Sequence, residues 1–280
     1  MDIHTRFSFT TEIPSSPQSL LPYELDDQTV ATSNPDNLCT INTCSSLSSL
    51  PLQPSLSCFL EDKPPAVTLT PHSLHVLGNL LAYNDLLYIP HNHIGKADDP
   101  LLFATCIHTI NHVMSLQKSI DQNDTLVKQE EPGPFLDQGF TRPSVLILLP
   151  FRSNALKTVK YLLSLLPGKR EITNQKRLNE EFGVLGSNDG YGDVIESRSS
   201  DWNNVFYGNI DDCFVLPISI GKKQVRLFSS FKHADIIVAS PMGLEMIMKK
   251  EKSNFPHLSS ISLVFADFVD VIYQQNWEHF

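Results

Sequence analysis

Two places in this chain hold residues that could act on a phosphate. The first is Gly95-Lys96, within Pro90-His91-Asn92-His93-Ile94-Gly95-Lys96-Ala97. A phosphate loop needs glycine N–H groups that close on the anion, then a lysine and a hydroxyl for magnesium, spaced G-x-x-x-x-G-K-[ST]. Pro90 stands at the first glycine position and has no N–H to offer. Ala97 stands where the hydroxyl belongs, so the Gly-Lys pair is a degenerate nucleotide site. The second place is Asp267-Phe268-Val269-Asp270, two carboxylates at one strand end. From residue type they read as strand-end and N-cap polar groups. His108 and His112 stand at i, i+4 on one helix, a spacing that can bind a metal. No third ligand and no adjacent glutamate accompany them, so the pair reads as structural, and His91 and His93 are no stronger. There is no G-x-S-x-G elbow and no Cys–His signature, so hydrolase chemistry has nothing to rest on. Neither a metal nor a cofactor is expected.

The elements that would position these residues follow from apolar periodicity. Val145–Leu149 is a short continuous apolar run, the pattern of a strand buried on both faces of a parallel sheet. Pro150 stops it. Ser153 or Asn154 is the expected cap of the helix that follows, with Leu156, Val159, Leu163 and Leu166 on one stripe and Pro167-Gly168 at its end. Asp235–Ala239 and Ile261–Phe265 repeat the buried-strand pattern, and Ser240-Pro241 opens a helix over 242–250. Cys213–Ile220 and Gln224–Phe228 read as two strands joined by Gly221-Lys222-Lys223. Upstream, Thr70-Pro71 caps a helix with Leu74, Leu77, Leu80 and Leu81 on its apolar stripe. Leu86–Ile89 is a short strand, 90–100 a loop, and Leu101–Leu116 a helix with Phe103, Ile107, Ile110 and Met114 on one face. Strands of this type separated by helices predict a doubly wound α/β sheet. Ligands of such sheets bind outside the strand carboxyl ends, here Pro150-Phe151-Arg152, Ser240-Pro241-Met242-Gly243 and Asp267–Asp270.

The flanking segments read differently. Residues 1–65 are rich in Ser and Pro, and prolines at 14, 17, 22, 35, 51, 54, 64 and 65 interrupt any helix. A disordered tail is expected there, with the ordered domain over 66–280. Flexible insertions are expected near 118–141 and 168–204, the second with a helical piece at 174–182. The formal net charge of −10 argues against nucleic-acid binding by bulk charge. It leaves room for a local patch such as Lys169, Arg170, Lys176 and Arg177. The five cysteines form no C-x-x-C pair, which fits a reducing compartment. Residues 1–11 carry no apolar core of a signal peptide, and no apolar run approaches membrane-spanning length. A soluble intracellular protein is expected.

The three strand ends, in that order, resemble the first RecA-like domain of DEAD-box RNA helicases. Longer phrases narrow the resemblance. VLILLPFRSNAL, FYGNIDDCF at 206–214, ADIIVASPMGL and the final DVIYQQNWEHF look like the digestive-organ expansion factor family, over roughly 80–280. That resemblance implies an incomplete RecA-like, P-loop NTPase-like sheet with flanking helices. It implies a nucleolar, helicase-like part of the small-subunit processome, with pre-rRNA, small nucleolar RNA and processome proteins as partners and no membrane. It carries RNA-backbone contact to Arg152, Ser153, Ser240 and Gly243. It gives Gly95, Lys96, Asp267 and Asp270 the degenerate nucleotide-site positions. It also places Phe268 where a helicase has the carboxylate that activates water, and a ring cannot accept that proton. The expectation is a non-catalytic pseudo-helicase. The alternatives are a residual ATP-dependent RNA helicase or ATPase, or a truncated product without function. The resemblance breaks off about ten residues after Asp270, where a further strand and a second RecA-like domain would follow. A fragment, a shortened product or a partner that supplies the rest is therefore expected.

Overall fold

The structure is a computed structural model. It describes residues 24–25, 28–32, 47–62, 67–90, 99–129, 139–183, 202, 206–251, 255–276 and 278. The central element is a six-stranded sheet. Its strands are β4 (Val145–Leu148), β5 (Glu171–Thr173), β6 (Val215–Ile220), β7 (Gln224–Leu227), β8 (Ile236–Ala239) and β9 (Leu263–Ala266), in the order β5-β7-β6-β8-β4-β9. β4 runs parallel to β8 on one side, Val145 against Ile236, and to β9 on the other, Val145 against Leu263. β5 and β7 are also parallel, whereas β6 is antiparallel to both its neighbours. The expected parallel sheet is therefore a mixed one. The Gly221–Lys223 turn is too short for a crossover and can only reverse the chain.

Both faces of β4 and β8 are covered, which explains their unbroken apolar runs, whereas β9, expected to be buried alike, is an edge strand with Val264 exposed. Val145, Ile147 and Leu149 point into the main core, and Leu146 and Leu148 into a smaller cluster with Ile237, Ala239 and Leu244. The main face packs under α2 (Pro71–Leu81), α3 (Asp99–Lys128), α4 (Arg152–Ser164) and α5 (Gln175–Phe182). α6 (Pro241–Lys250) brings Leu244 and Met248 to the opposite face. The buried stripe of α4 is Ala155, Thr158, Val159 and Leu162, rotated from the expected one, with Leu156 and Leu163 only partly buried.

Several boundaries differ from the sequence expectation. Order does not start near residue 66: α1 (Pro54–Asp62) buries Leu56 and Leu60 in the main core, and Leu50 joins them. Pro54 opens this helix at a position where its missing N–H costs nothing, so it is a start rather than a break. The backbone N–H of Gln53 donates to Asn111 Oδ1 at 2.7 Å, and Gln53 Nε2 donates to Ser115 Oγ at 2.8 Å, which ties this segment to α3. Leu56→Ala is expected to lower stability by about 2 kcal/mol, because Leu56 is fully buried. A urea midpoint equal to wild type would show that 50–62 is not part of the core. The expected insertion at 118–141 begins as helix, since α3 continues to Lys128; no Gly or Pro stands in 118–128 to stop it. In the expected loop at 168–204, β5 and α5 are ordered, and 184–201 lies outside the described residues.

The strand expected before the degenerate phosphate loop is present as β3 (Leu86–Pro90), but it stands outside the large sheet. It pairs antiparallel with β2 (Gln28–Thr32), and β1 (Glu24–Leu25) completes a separate three-stranded sheet. The last helix, α7 (Val269–Asn276), follows β9.

Candidate functional site at the strand carboxyl ends

Because β4, β8 and β9 are parallel neighbours, the segments that leave them share one edge of the sheet. Leu149 N–H donates to Ala239 O at 3.0 Å, and Asp267 N–H donates to Leu148 O at 3.1 Å, so the three exits are held in register. Arg152, Ser240, Gly243, Asp267 and Phe268 are thereby brought together on that edge. Gly95 and Lys96 lie outside the described residues.

Arg152 is engaged from within the chain. Its Nη2 donates to Cys213 O at 2.9 Å and its Nη1 to Glu181 O at 3.2 Å, and Nε lies 3.3 Å from Asp211 Oδ1. Its guanidinium also sits over the Phe182 ring, 5.2 Å from the centroid. Neither Ser153 nor Asn154 caps α4. The N-cap is Phe151, without a side-chain bond, and the first amides are satisfied by the 209–211 loop. Arg152 N–H donates to Asp211 O at 3.0 Å, and Ser153 N–H to Asn209 O at 2.9 Å. The loop holds its own shape: Asp211 N–H donates to Asn209 Oδ1, Cys213 N–H to Asp211 Oδ1, and Asn209 Nδ2 to Glu181 O. Gly208 sits at φ +95°, and a Cβ there would lie 3.0 Å from that of Ser153. The helix N-terminus that could take an anion is thus already occupied by carbonyls of this loop. Its only trace in the sequence is Asn209-Ile210-Asp211-Asp212, short polar residues that favour such turns.

Ser240 and Gly243 also have internal partners. Ser240 is buried and is the N-cap of α6; its Oγ accepts from Gly243 N–H at 3.0 Å and from Phe214 N–H at 3.2 Å. Gly243 packs directly on the backbone of Phe214.

At the third exit, Asp267 Oδ1 accepts from the N–H of Phe268 at 2.9 Å. Phe268 has φ +54°, a left-handed conformation that a bulky residue adopts only against strain of about 1–2 kcal/mol. Asp270 is exposed in the first turn of α7, where a carboxylate suits the helix dipole. No carboxylate stands at 268, and Asp267 is turned back on its own chain. Burial, with the Asp267 charge adding to it, pushes the nearby Cys106 thiol well above its usual range, which disfavours the thiolate.

His108 is buried and His112 is partly buried beside it. His112 is bonded on both ring nitrogens, to Tyr83 Oη at 2.8 Å and to Ser262 Oγ at 2.8 Å, and this links α3 to the head of β9. His108 packs edge-on against Tyr83 and Phe265. Burial holds both imidazoles at about 4, below the usual 6.5, and His112 adds to the effect on His108. Among the described residues, no group of three or more His, Cys, Asp or Glu could hold a metal ion. Since the folded state binds fewer protons than the unfolded chain, stability is complete above about pH 6.5. It is lost as pH falls through that value towards about 4. The urea midpoint is expected to drop between pH 7 and pH 5, and the drop should shrink in a His108→Phe/His112→Gln variant. An equal drop in both proteins would remove the pair from the pH response.

A family profile described as "UTP25, NTP hydrolase-like domain" matches residues 83–280. The chain belongs to the UTP25 family. The digestive-organ expansion factor family is the same family under another name. The U3 small nucleolar RNA-associated protein 25 homolog of Xenopus tropicalis is 36% identical over 220 residues, covering 75% of this chain and 28% of that protein. The homolog of Homo sapiens is 36% identical over 210 residues, with 71% and 27% covered. The U3 small nucleolar RNA-associated protein 25 of Schizosaccharomyces pombe is 33% identical over 218 residues, with 77% and 32% covered. The chain therefore spans about a third of the length of the curated relatives it matches. No solved structure matches. The UTP25 match begins at residue 83, so it takes in β3 and the whole large sheet and leaves α1 and α2 outside. No helix among the described residues is long and apolar enough to cross a membrane.

Proposed function

We propose that this chain is a non-catalytic, helicase-like part of the nucleolar small-subunit processome. It supports pre-rRNA processing and small-subunit biogenesis by holding small nucleolar RNA, pre-rRNA and processome proteins. Family membership supports the setting, because the relatives are named for association with the U3 small nucleolar RNA. We further read the large sheet as an incomplete RecA-like sheet, since the exits of β4, β8 and β9 fall on one edge in the helicase order. The observation that carries the non-catalytic part is Phe268. It occupies the strand-end position of the water-activating carboxylate, in a left-handed conformation, with Asp267 bonded to its N–H.

Two measurements test this reading. U3 small nucleolar RNA is expected to co-purify with the tagged full chain from cells, above an unrelated small nuclear RNA; no enrichment would overturn the processome role. ATP turnover at millimolar ATP, with and without RNA, is expected to stay at the buffer rate. RNA-stimulated turnover that disappears in Lys96→Ala would establish a residual ATPase instead.

A further inference from the structure

At the opposite, amino-terminal edge of the large sheet, the topology gathers cations that are far apart in sequence. β5 and β7 are parallel, so the segments that enter them stand side by side, and Glu171 N–H donates to Lys223 O at 3.0 Å. Lys169-Arg170 is thereby set against the Gly221-Lys222-Lys223 turn. Further along the same edge Arg142 leads into β4, with its guanidinium on Asp235 at the head of β8 and 45% of its side chain exposed. The strands between run β5-β7-β6-β8-β4, about 4.8 Å apart at each step. The result is a row of five cations along one edge of a chain whose net charge is −10.

Among the described residues, few acidic groups face this row. Asp235 is buried and taken by Arg142 and by the N–H of Ile220 at 2.6 Å. Asp121 of α3 pairs with Lys222 at 2.7 Å. Glu171 is exposed at the start of β5. Lys169 and Lys223 are exposed and carry no ion pair among the described residues. Arg170 has Nη1 buried without a hydrogen-bond acceptor among the described residues, and burial lowers its pKa. It is a partly desolvated cation with no ion pair among the described residues. Beside Gly168, at φ +79°, there is open space where a Cβ would stand, so a ligand can approach the backbone there. At the other end of the row, Phe140 is 98% exposed, two residues before Arg142.

We propose that this edge is a binding site for the phosphodiester backbone of single-stranded RNA. It deepens the reading of the chain as an RNA-associated processome part and rests on it. Lysine and arginine donors on adjacent segments meet successive phosphates, and the exposed Phe140 ring offers a base a stacking surface. Segments 168–171 and 221–224 expose no large apolar side chain, so the edge lacks the apolar centre of a protein interface. The site lies at the other end of the strands from Arg152, whose donors are spent on Cys213 and Glu181.

The test is fluorescence anisotropy of labelled oligouridine with the full chain, across a salt series. A Lys169→Gln/Arg170→Gln/Lys223→Gln variant is expected to bind about tenfold more weakly or worse. Its slope of log K against log salt should be shallower by about 0.7 per lost contact. A Lys249→Gln control, which removes a cation already paired with Glu245, should match wild type. Phe140→Ala should weaken oligouridine several-fold and leave labelled poly-glutamate unaffected. Equal binding by the triple variant and wild type would overturn the site and leave the RNA-associated reading standing. Poly-glutamate bound as tightly as oligouridine, and lost in the triple variant, would overturn it in favour of an acidic peptide. Absence of oligouridine binding by wild type would also overturn it. U3 RNA that still co-purifies from cells would then be held through protein, and its absence as well would end both proposals.

Discussion

Asp235→Ala is expected to lower stability by about 3 kcal/mol, one of the two largest single effects in this chain. The carboxylate is almost fully buried at the head of β8 and is held from several sides. Ile220 N–H donates to Oδ2 at 2.6 Å, and Arg142 grips both oxygens, at 3.0 and 3.3 Å. Gln117 Nε2 approaches Oδ1 at 3.5 Å from α3. Alanine leaves the Ile220 amide buried without an acceptor and removes the tie between β6, β8 and the entry to β4. Most of the cost comes from the unpaired amide rather than from the ion pair, because Arg142 is 45% exposed and water can solvate it. Arg142→Met should therefore cost only about 1 kcal/mol. Asp235→Asn, which keeps one oxygen acceptor, should fall between the two. Urea midpoints at neutral pH check the order. If Arg142→Met proved as damaging as Asp235→Ala, the ion pair and not the amide would dominate.

Gly243→Ala is the second. In an exposed helix interior that change stabilises by roughly 1 kcal/mol. Here the sign reverses, with a loss of about 3 kcal/mol. A Cβ at 243 would overlap Phe214 O and lie 2.7 Å from Phe214 N and from its carbonyl carbon. Those atoms are backbone, and Ser240 holds them from both sides: Ser240 N–H donates to Phe214 O at 3.1 Å, while Phe214 N–H donates to Ser240 Oγ. Neither α6 nor the entry to β6 can yield without breaking that cap. Gly243→Val should be worse still, and an unchanged or raised midpoint for Gly243→Ala would show that the two elements are not in contact. Both Ser240 and Gly243 thus hold α6 onto the strand before β6, and RNA contact is not needed to explain either residue.

Much of the fold was legible because its signals are local. β4, β8 and β9 announce themselves as short apolar runs ended by Pro150, Ser240 and Asp267, and the structure places them at those positions within a residue or two. Thr70-Pro71 caps α2 as read, with Thr70 Oγ1 accepting from Ser73 N–H at 3.1 Å. Segment 47–62 was not legible. Its prolines are helix breakers on composition, and only the presence of α3, with Asn111 and Ser115 to bond Gln53, makes an ordered helix there worthwhile. The 118–128 stretch was missed for a related reason: a polar helix with an exposed surface has no apolar period to read.

For the site, residue types alone set what two positions can contribute. Phe268 has no proton to exchange, and Pro90 has no N–H, whatever surrounds them. What only the tertiary structure decided is where each cation spends its charge. Arg152 stands at a strand end in sequence, and nothing local says that the loop at 209–213 folds back to take its donors. Lys169-Arg170 and Lys222-Lys223 are ordinary surface pairs until β5 aligns with β7 and sets them side by side. Strand pairing acts between segments some fifty residues apart, and no pattern within either segment encodes it.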